Sequence, residues 1–155
     1  MRVWVGIDVG TKGAICALRE DNQAIFLNTT EKPMNTLSWF KDLAEECQVM
    51  IVMIEAVHAI YKASAKSTFS FGYNTAVMEI LPQAAGLSVD KVNPKKWQKA
   101  VGVKTTTKGK AIKAEVATIC SRLYPTVNIH GAKGGLLDGR SDALMIAHYA
   151  KLTYR

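Results

Sequence analysis

The stretch VMIVMIEA, Val49 to Ala56, constrains the fold more than any other part of the chain. It is an almost unbroken apolar run that ends on an acid, Glu55. It is far shorter than the ~20 residues a bilayer span needs, so it reads as a central strand covered on both faces. Such a strand requires a layer of helices on each side. The flanking segments supply those layers. Val3 to Asp8, Ala14 to Leu18 and Ala24 to Asn28 read as three short strands joined by tight turns, an antiparallel meander. A helix capped near Asn35 or Thr36 follows, with Leu37, Phe40, Ala44 and Cys47 on one stripe. After Glu55, residues 56–68 read as irregular. Phe69 to Ala84 reads as a helix kinked or ended near Pro82. Val89 to Val92 is a short strand, and Pro94 suits the first turn of a helix carrying Trp97. Val101 to Gly109 reads as an exposed loop. Helices are expected over Lys110 to Leu123 and from Asp138 almost to the C-terminus. This order describes one domain over residues 1–155, an α/β sheet of mixed direction.

The charge is unevenly placed. The chain carries a formal net charge of +7, yet eight lysines and no acid fall between Lys91 and Lys113. That segment alone accounts for the basic excess. Solvated helix faces mix signs, so a one-signed segment points to a polyanion, nucleic acid first. Lys95, Lys96, Lys99, Lys104, Lys108 and Lys110 are the candidate phosphate contacts, together with Lys12 in the turn after Asp8. The three cysteines, Cys16, Cys47 and Cys120, are scattered and form no C-x-x-C. They suit reduced thiols rather than a zinc site or disulfides, so a cytoplasmic location is expected. Nothing resembles a targeting segment, and no membrane partner is expected.

Four acids stand where chemistry is usually placed. Asp8 and Glu55 each close a strand, and sites in α/β sheets form at strand ends. In LLDGRSDALMIAHYA, Asp138 and Asp142 are four apart and share a helix face that continues through Ile146 and Tyr149 or Ala150. Two like charges extending a buried stripe conflict, because one must then hold its proton. A divalent cation removes the conflict. The alternative is that Asp138 is an N-cap and Asp142 an exposed first-turn acid. The four together make a hard-oxygen set of the kind Mg²⁺ and Mn²⁺ prefer. Two such ions can activate a water and stabilise the leaving oxygen in phosphodiester cleavage.

These residues carry a resemblance. GIDVG, VMIEAV and DGRSDALMIAHYA, in that order and at this length, resemble the three motifs of the RuvC-type Holliday junction resolvases. The resemblance covers essentially the whole chain. It implies the ribonuclease H-like fold: a central five-stranded mixed sheet, three antiparallel strands then two parallel, flanked by helices. It implies that Asp8, Glu55, Asp138 and Asp142 are catalytic acids holding Mg²⁺, with Mn²⁺ able to substitute, two ions per site. It implies a homodimer acting on branched DNA. Family members also place lysines near the scissile phosphate. AIKAEV is similar to that position and gives Lys113, with Lys110 one helical turn away as second choice. An aromatic in the loop after the second acid stacks on bases in the family, and the matching spacing falls on His58, with Tyr61 just beyond. Phe69, Phe71 and Tyr73 are expected as helix core and dimer contacts. One departure is visible: the bacterial pattern separates the last two acids by three residues, and here the step is four. The compact length and the DGRSDAL form look closer to phage or viral members.

Three rival readings remain. GIDVGTKG also resembles the phosphate loop of the sugar kinase, actin and Hsp70 ATPases, but those need two such domains around the nucleotide. The YqgF-type nucleases, acting on RNA, share the first motif and size. A catalytically silent binding module for branched nucleic acid would keep the basic segment and use the acids structurally.

Overall fold

The computed structural model describes residues 1–10, 12–56 and 64–155. The apolar run forms strand β4 (Gln48–Glu55) of a five-stranded sheet, the others being β1 (Arg2–Ile7), β2 (Ala14–Arg19), β3 (Ala24–Asn28) and β5 (Val89–Val92). The strand order is β3-β2-β1-β4-β5. β1 pairs antiparallel with β2, and β2 with β3, while β1 and β5 flank β4 in parallel. The mixed sheet expected from the sequence is thus present, with β4 between two parallel neighbours.

Side chains alternate across this sheet with period two. Val3, Val5, Ile7, Ile15, Ala17, Val52 and Ile54 face one side, where α1 (Pro33–Glu46) and α2 (Ala65–Ala84) contribute Phe40, Leu43 and Met78. Trp4, Cys16, Leu18, Ile51 and Met53 face the other side. There they meet α3 (Pro94–Val101), α4 (Lys110–Leu123) and α5 (Asp138–Thr153). α5 is the most deeply buried of these, with Leu144, Met145 and Ile146 fully covered. Each such side chain contributes about 1.5–3 kcal/mol through burial. Its approach is so close that the sheet needs a glycine beneath it. A Cβ at Gly6 would lie 2.2 Å from the carbonyl oxygen of Ala143 and 2.3 Å from the amide nitrogen of Ala147. Gly6→Ala is therefore expected to lower stability by about 1–3 kcal/mol, read as a fall in denaturant midpoint. An unchanged midpoint would mean that α5 is not held where it lies.

Several boundaries differ from expectation. α1 begins at Pro33 with Lys32 in the cap position, three to four residues before the expected cap, because proline at the first helical position pre-sets the backbone. Its buried stripe is Thr36, Phe40 and Leu43, with Leu37, Ala44 and Cys47 half-buried at the margin. α2 begins at Ala65, capped by Ser64, whose hydroxyl accepts from the Ser67 amide at 3.2 Å. It runs through Pro82 to Ala84. Phe69 and Tyr73 are not core: they are 77% and 56% exposed, while Phe71 is half-buried against the α1/α2 core. The segment after α3 is not uniformly exposed either, since Val103 turns inward and is buried. Cys16 and Cys120 are buried and Cys47 half-buried, all three as free thiols. No helix among the described residues is long and apolar enough to cross a membrane.

Candidate active site

Asp8 follows β1 directly, and Glu55 ends β4. The two strands are parallel and in register at Ile7 and Ile54, so their acids leave the sheet on adjacent strands at the same end. Neighbouring strands lie ~4.8 Å apart, which sets the carboxylates side by side. The turn that follows Asp8 is fixed by its own backbone. Asp8 N–H donates to the Ala14 carbonyl at 3.0 Å, and Gly13 N–H to the Gly10 carbonyl at 2.8 Å. The buried Thr29 on the strand side closes it, its hydroxyl donating to the Gly10 carbonyl at 3.0 Å. Gly10 N–H points back at Asp8 Oδ1, at 3.4 Å.

The same turn receives the start of α5. Gly13 and Gly139 form a backbone bridge, and a Cβ at Gly139 would fall 2.1 Å from the Lys12 carbonyl oxygen. This contact sets Asp138 and Asp142 against Asp8. Asp138 is the first helical residue rather than the cap, which falls on Leu137. Its carboxylate is ion-paired with Lys113 of α4, and Ser141 Oγ donates to its carbonyl at 2.9 Å.

The electrostatics bind the five groups into one site. Burial pushes the Asp142 carboxyl up to about 7, and the charges of Asp8, Glu55 and Asp138 add to the rise. Burial also raises Asp8, with Asp138 adding, while the Gly10 N–H and Lys113 pull the other way. Glu55 is raised by burial and by Asp8, against the hydrogen bond it accepts from Trp97. Asp138 is the exception, held below the usual carboxylate range by its hydrogen bond from Lys113. Lys113 is raised in return, first by Asp138 and then by Asp142 and Asp8. Three carboxyls that resist ionising beside one that does not form a cluster short of positive charge.

A hard divalent cation fits that deficit in donor chemistry: four carboxylates, no soft ligand, and a proton retained on Asp142 for want of a counter-charge. The side chains do not form a finished shell. Among the described residues no three His, Cys, Asp or Glu groups stand close enough to hold an ion as they are.

One contributor was not legible in the sequence. Trp97, buried on α3, donates its indole N–H to Glu55 Oε1 at 2.8 Å. A tryptophan after Pro94 signals a packed helix, and nothing in its spacing points to an acid 42 positions earlier. The basic residues are divided by the fold. Lys113 reaches the acids, whereas Lys110 lies one turn earlier and exposed. Lys95, Lys99, Lys104 and Lys108 ring a separate cavity between α3 and α4. Lys96 is exposed outside its lining, and Lys91 is paired with Glu79 at 2.7 Å. Lys12 is exposed beside Asp138, the two lining a shallow cleft with Asn28 and Leu137. His58 and Tyr61 lie outside the described residues.

Sheet order and helix layers are those of the ribonuclease H-like fold. Within it the chain has the fold of RuvC. It superposes on Thermus thermophilus RuvC in complex with a Holliday junction substrate with a TM-score of 0.64 at 15% sequence identity, covering 98% of this chain and 96% of that one. A second Thermus thermophilus RuvC structure gives 0.62 at 15% identity, covering 98% and 97%. No protein-family profile matches the sequence, and no curated protein matches it.

Proposed function

We propose that the protein is a metal-dependent endonuclease of branched DNA, resolving four-way junctions by paired hydrolysis of phosphodiesters. The observation that carries this reading is the convergence of Asp8, Glu55, Asp138 and Asp142 beside Lys113, on the fold of a junction resolvase. Asp8, Glu55, Asp138 and Asp142 would hold the Mg²⁺ or Mn²⁺ ions, two per site. Bound there, the ions supply a water of lowered pKa and neutralise charge on the phosphate. The chain's own groups do the rest. Asp142 must release its proton, and Asp138 must rotate away from Lys113. That frees the Lys113 ammonium to stabilise charge building on the phosphate. Trp97 holds Glu55 oriented, and the lysines of α3 and α4 bind flanking phosphates, so affinity falls steeply with salt.

Labelled four-way junction and linear duplex, each with Mg²⁺ or EDTA, test this directly. Metal-dependent nicking of the junction is expected; none on any branched DNA would sink the reading, and cleavage confined to RNA would favour the YqgF-type alternative. Trp97→Phe removes the donor to Glu55 and leaves a small cavity where the buried indole stood. It is expected to slow nicking by about 10–100-fold. Stability should drop by about 1–3 kcal/mol, from the lost hydrogen bond and the cavity together. A rate equal to wild type would show that the hydrogen bond is incidental.

A two-fold assembly would present two such sites to the symmetric junction. Phe69, Tyr73 and Ile80 form an exposed apolar stripe along α2, 77%, 56% and 61% accessible, and are the proposed self-association face. Ile80→Glu should convert a dimer to a monomer by light scattering. A mass that does not change on this substitution would place the contact elsewhere.

A further inference from the structure

A cavity of about 520 Å³ lies between α3 and the start of α4; the nuclease reading puts backbone phosphates on its lysines but gives the hollow itself no role. Its floor is apolar: Val103 is buried, Ile112 is half-buried, and the lysine stems add methylenes. Its rim is cationic. Lys95 and Lys99 come from α3, Lys104 and Lys108 from the connecting segment, and among the described residues no acid lines it. Gln98 is half-buried in the wall.

The cavity is preformed. Glu115 accepts from the Lys104 amide at 2.9 Å and from the Thr107 hydroxyl, which ties the connecting segment to α4. Val103 N–H donates to the Gln98 carbonyl at 2.9 Å, turning the valine inward. It also stands beside the acids. Ile112 adjoins Lys113, whose ammonium pairs with Asp138. From Gly109 to Lys113 the helix rises only ~6 Å, so the cavity and the acids lie within reach of the same short stretch of strand.

Phosphates need charge but no hollow. An apolar hollow ringed by four ammonium groups suits a group with a flat apolar face and anionic flanks. We propose that this cavity is a subsite for one unstacked nucleotide of the branched DNA, its base against Val103 and Ile112 and its flanking phosphates on Lys95, Lys99, Lys104 and Lys108. Gln98 offers a donor and an acceptor to the base edge. A branch point supplies bases already weakly stacked, which lowers the cost of extrusion. The proposal rests on the branched-DNA reading of the acids and lysines.

The test places 2-aminopurine, in turn, at each position within four nucleotides of the branch of a four-way junction, in EDTA. Fluorescence is read with wild type and with Gln98→Trp and Thr105→Trp, which fill the cavity without altering charge. Thermal melts check that both fold, and Thr105 lies on the exposed segment where substitution is tolerated. At least one position should brighten severalfold with wild type. Both filled variants should lose that brightening while binding with unchanged salt dependence. Brightening that survives in both, or none at any position while the junction is bound, overturns the subsite and leaves the nuclease reading standing. Failure of wild type to bind any junction overturns both. Binding of free dAMP that the filled variants lose, with no brightening in the junction, assigns the cavity to a free nucleotide and overturns the strand proposal.

Discussion

Asp8→Asn is expected to lower Mg²⁺-dependent nicking of a four-way junction by on the order of a thousandfold, with junction binding within a few-fold of wild type. The size follows from where Asp8 sits. It leaves the sheet next to Glu55, its turn is bridged to α5, and its charge is felt by Glu55, Asp142 and Lys113. Asp8→Asn removes the carboxylate charge that couples to Glu55, Asp142 and Lys113 and replaces one oxygen by an amide nitrogen. The substitution is close to isosteric, and the lysines between α3 and α4 are untouched, so binding should persist. Single-turnover nicking and a mobility shift in EDTA separate the two quantities. Full activity in the variant would end the metal-site interpretation. Lost binding with normal folding would mean that phosphate and metal sites are one.

The second large effect is thermodynamic and concerns Asp142. Its folded carboxyl titrates near 7, against 3.8 for the free side chain. The folded state thus holds the extra proton between those values. Stability of the metal-free protein should fall as pH rises through that window, with the penalty complete above about 7. Three pK units correspond to roughly 4 kcal/mol. Asp8 and Glu55 are raised and act with the same sign, while Asp138 is lowered and opposes them. Asp142→Asn removes the ionisation and should raise the melting temperature at pH 8 by about 10 °C in EDTA, and by less than half of that at pH 5. Mg²⁺ should stabilise wild type at pH 8 far more than at pH 5, because metal and proton compete. Equal melting of wild type at pH 5 and 8 would refute the buried-acid account.

These expectations rest on features unequally visible in the sequence. β3, β5 and α4 fall where periodicity and punctuation put them, because each has a clean boundary: Asp21-Asn22 before β3, Pro94 after β5, and Gly109 and Pro125 around α4. α1 and α2 start early because helix propensity does not register how a preceding proline or serine is used. Phe69 and Tyr73 are exposed where helix core and dimer contacts were expected, because α2 packs into the core through Met78, with Phe71, Val77 and Leu81 at its margin. The acids were legible as strand ends and one helix face. The pairing of Asp138 with Lys113, the Trp97 hydrogen bond and the hollow between α3 and α4 were not, since they depend on how separate helices dock rather than on any local spacing.

The bridge between Gly13 and Gly139 also orders events in time. It joins the turn after the first strand to a helix some 125 positions later, and the Trp4 indole donates to the carbonyl of Tyr154 nearer the C-terminus still. Much of the core on that face, from Leu18 to Met53, is open until residues 138–153 arrive to cover it. Contacts this distant along the chain close slowly. On a ribosome, the segment bearing Asp8 and Glu55 emerges long before the one bearing Asp138 and Asp142. A chain still being made therefore has two of these four acids and no seat for the other two, and the cluster is assembled only once α5 has docked.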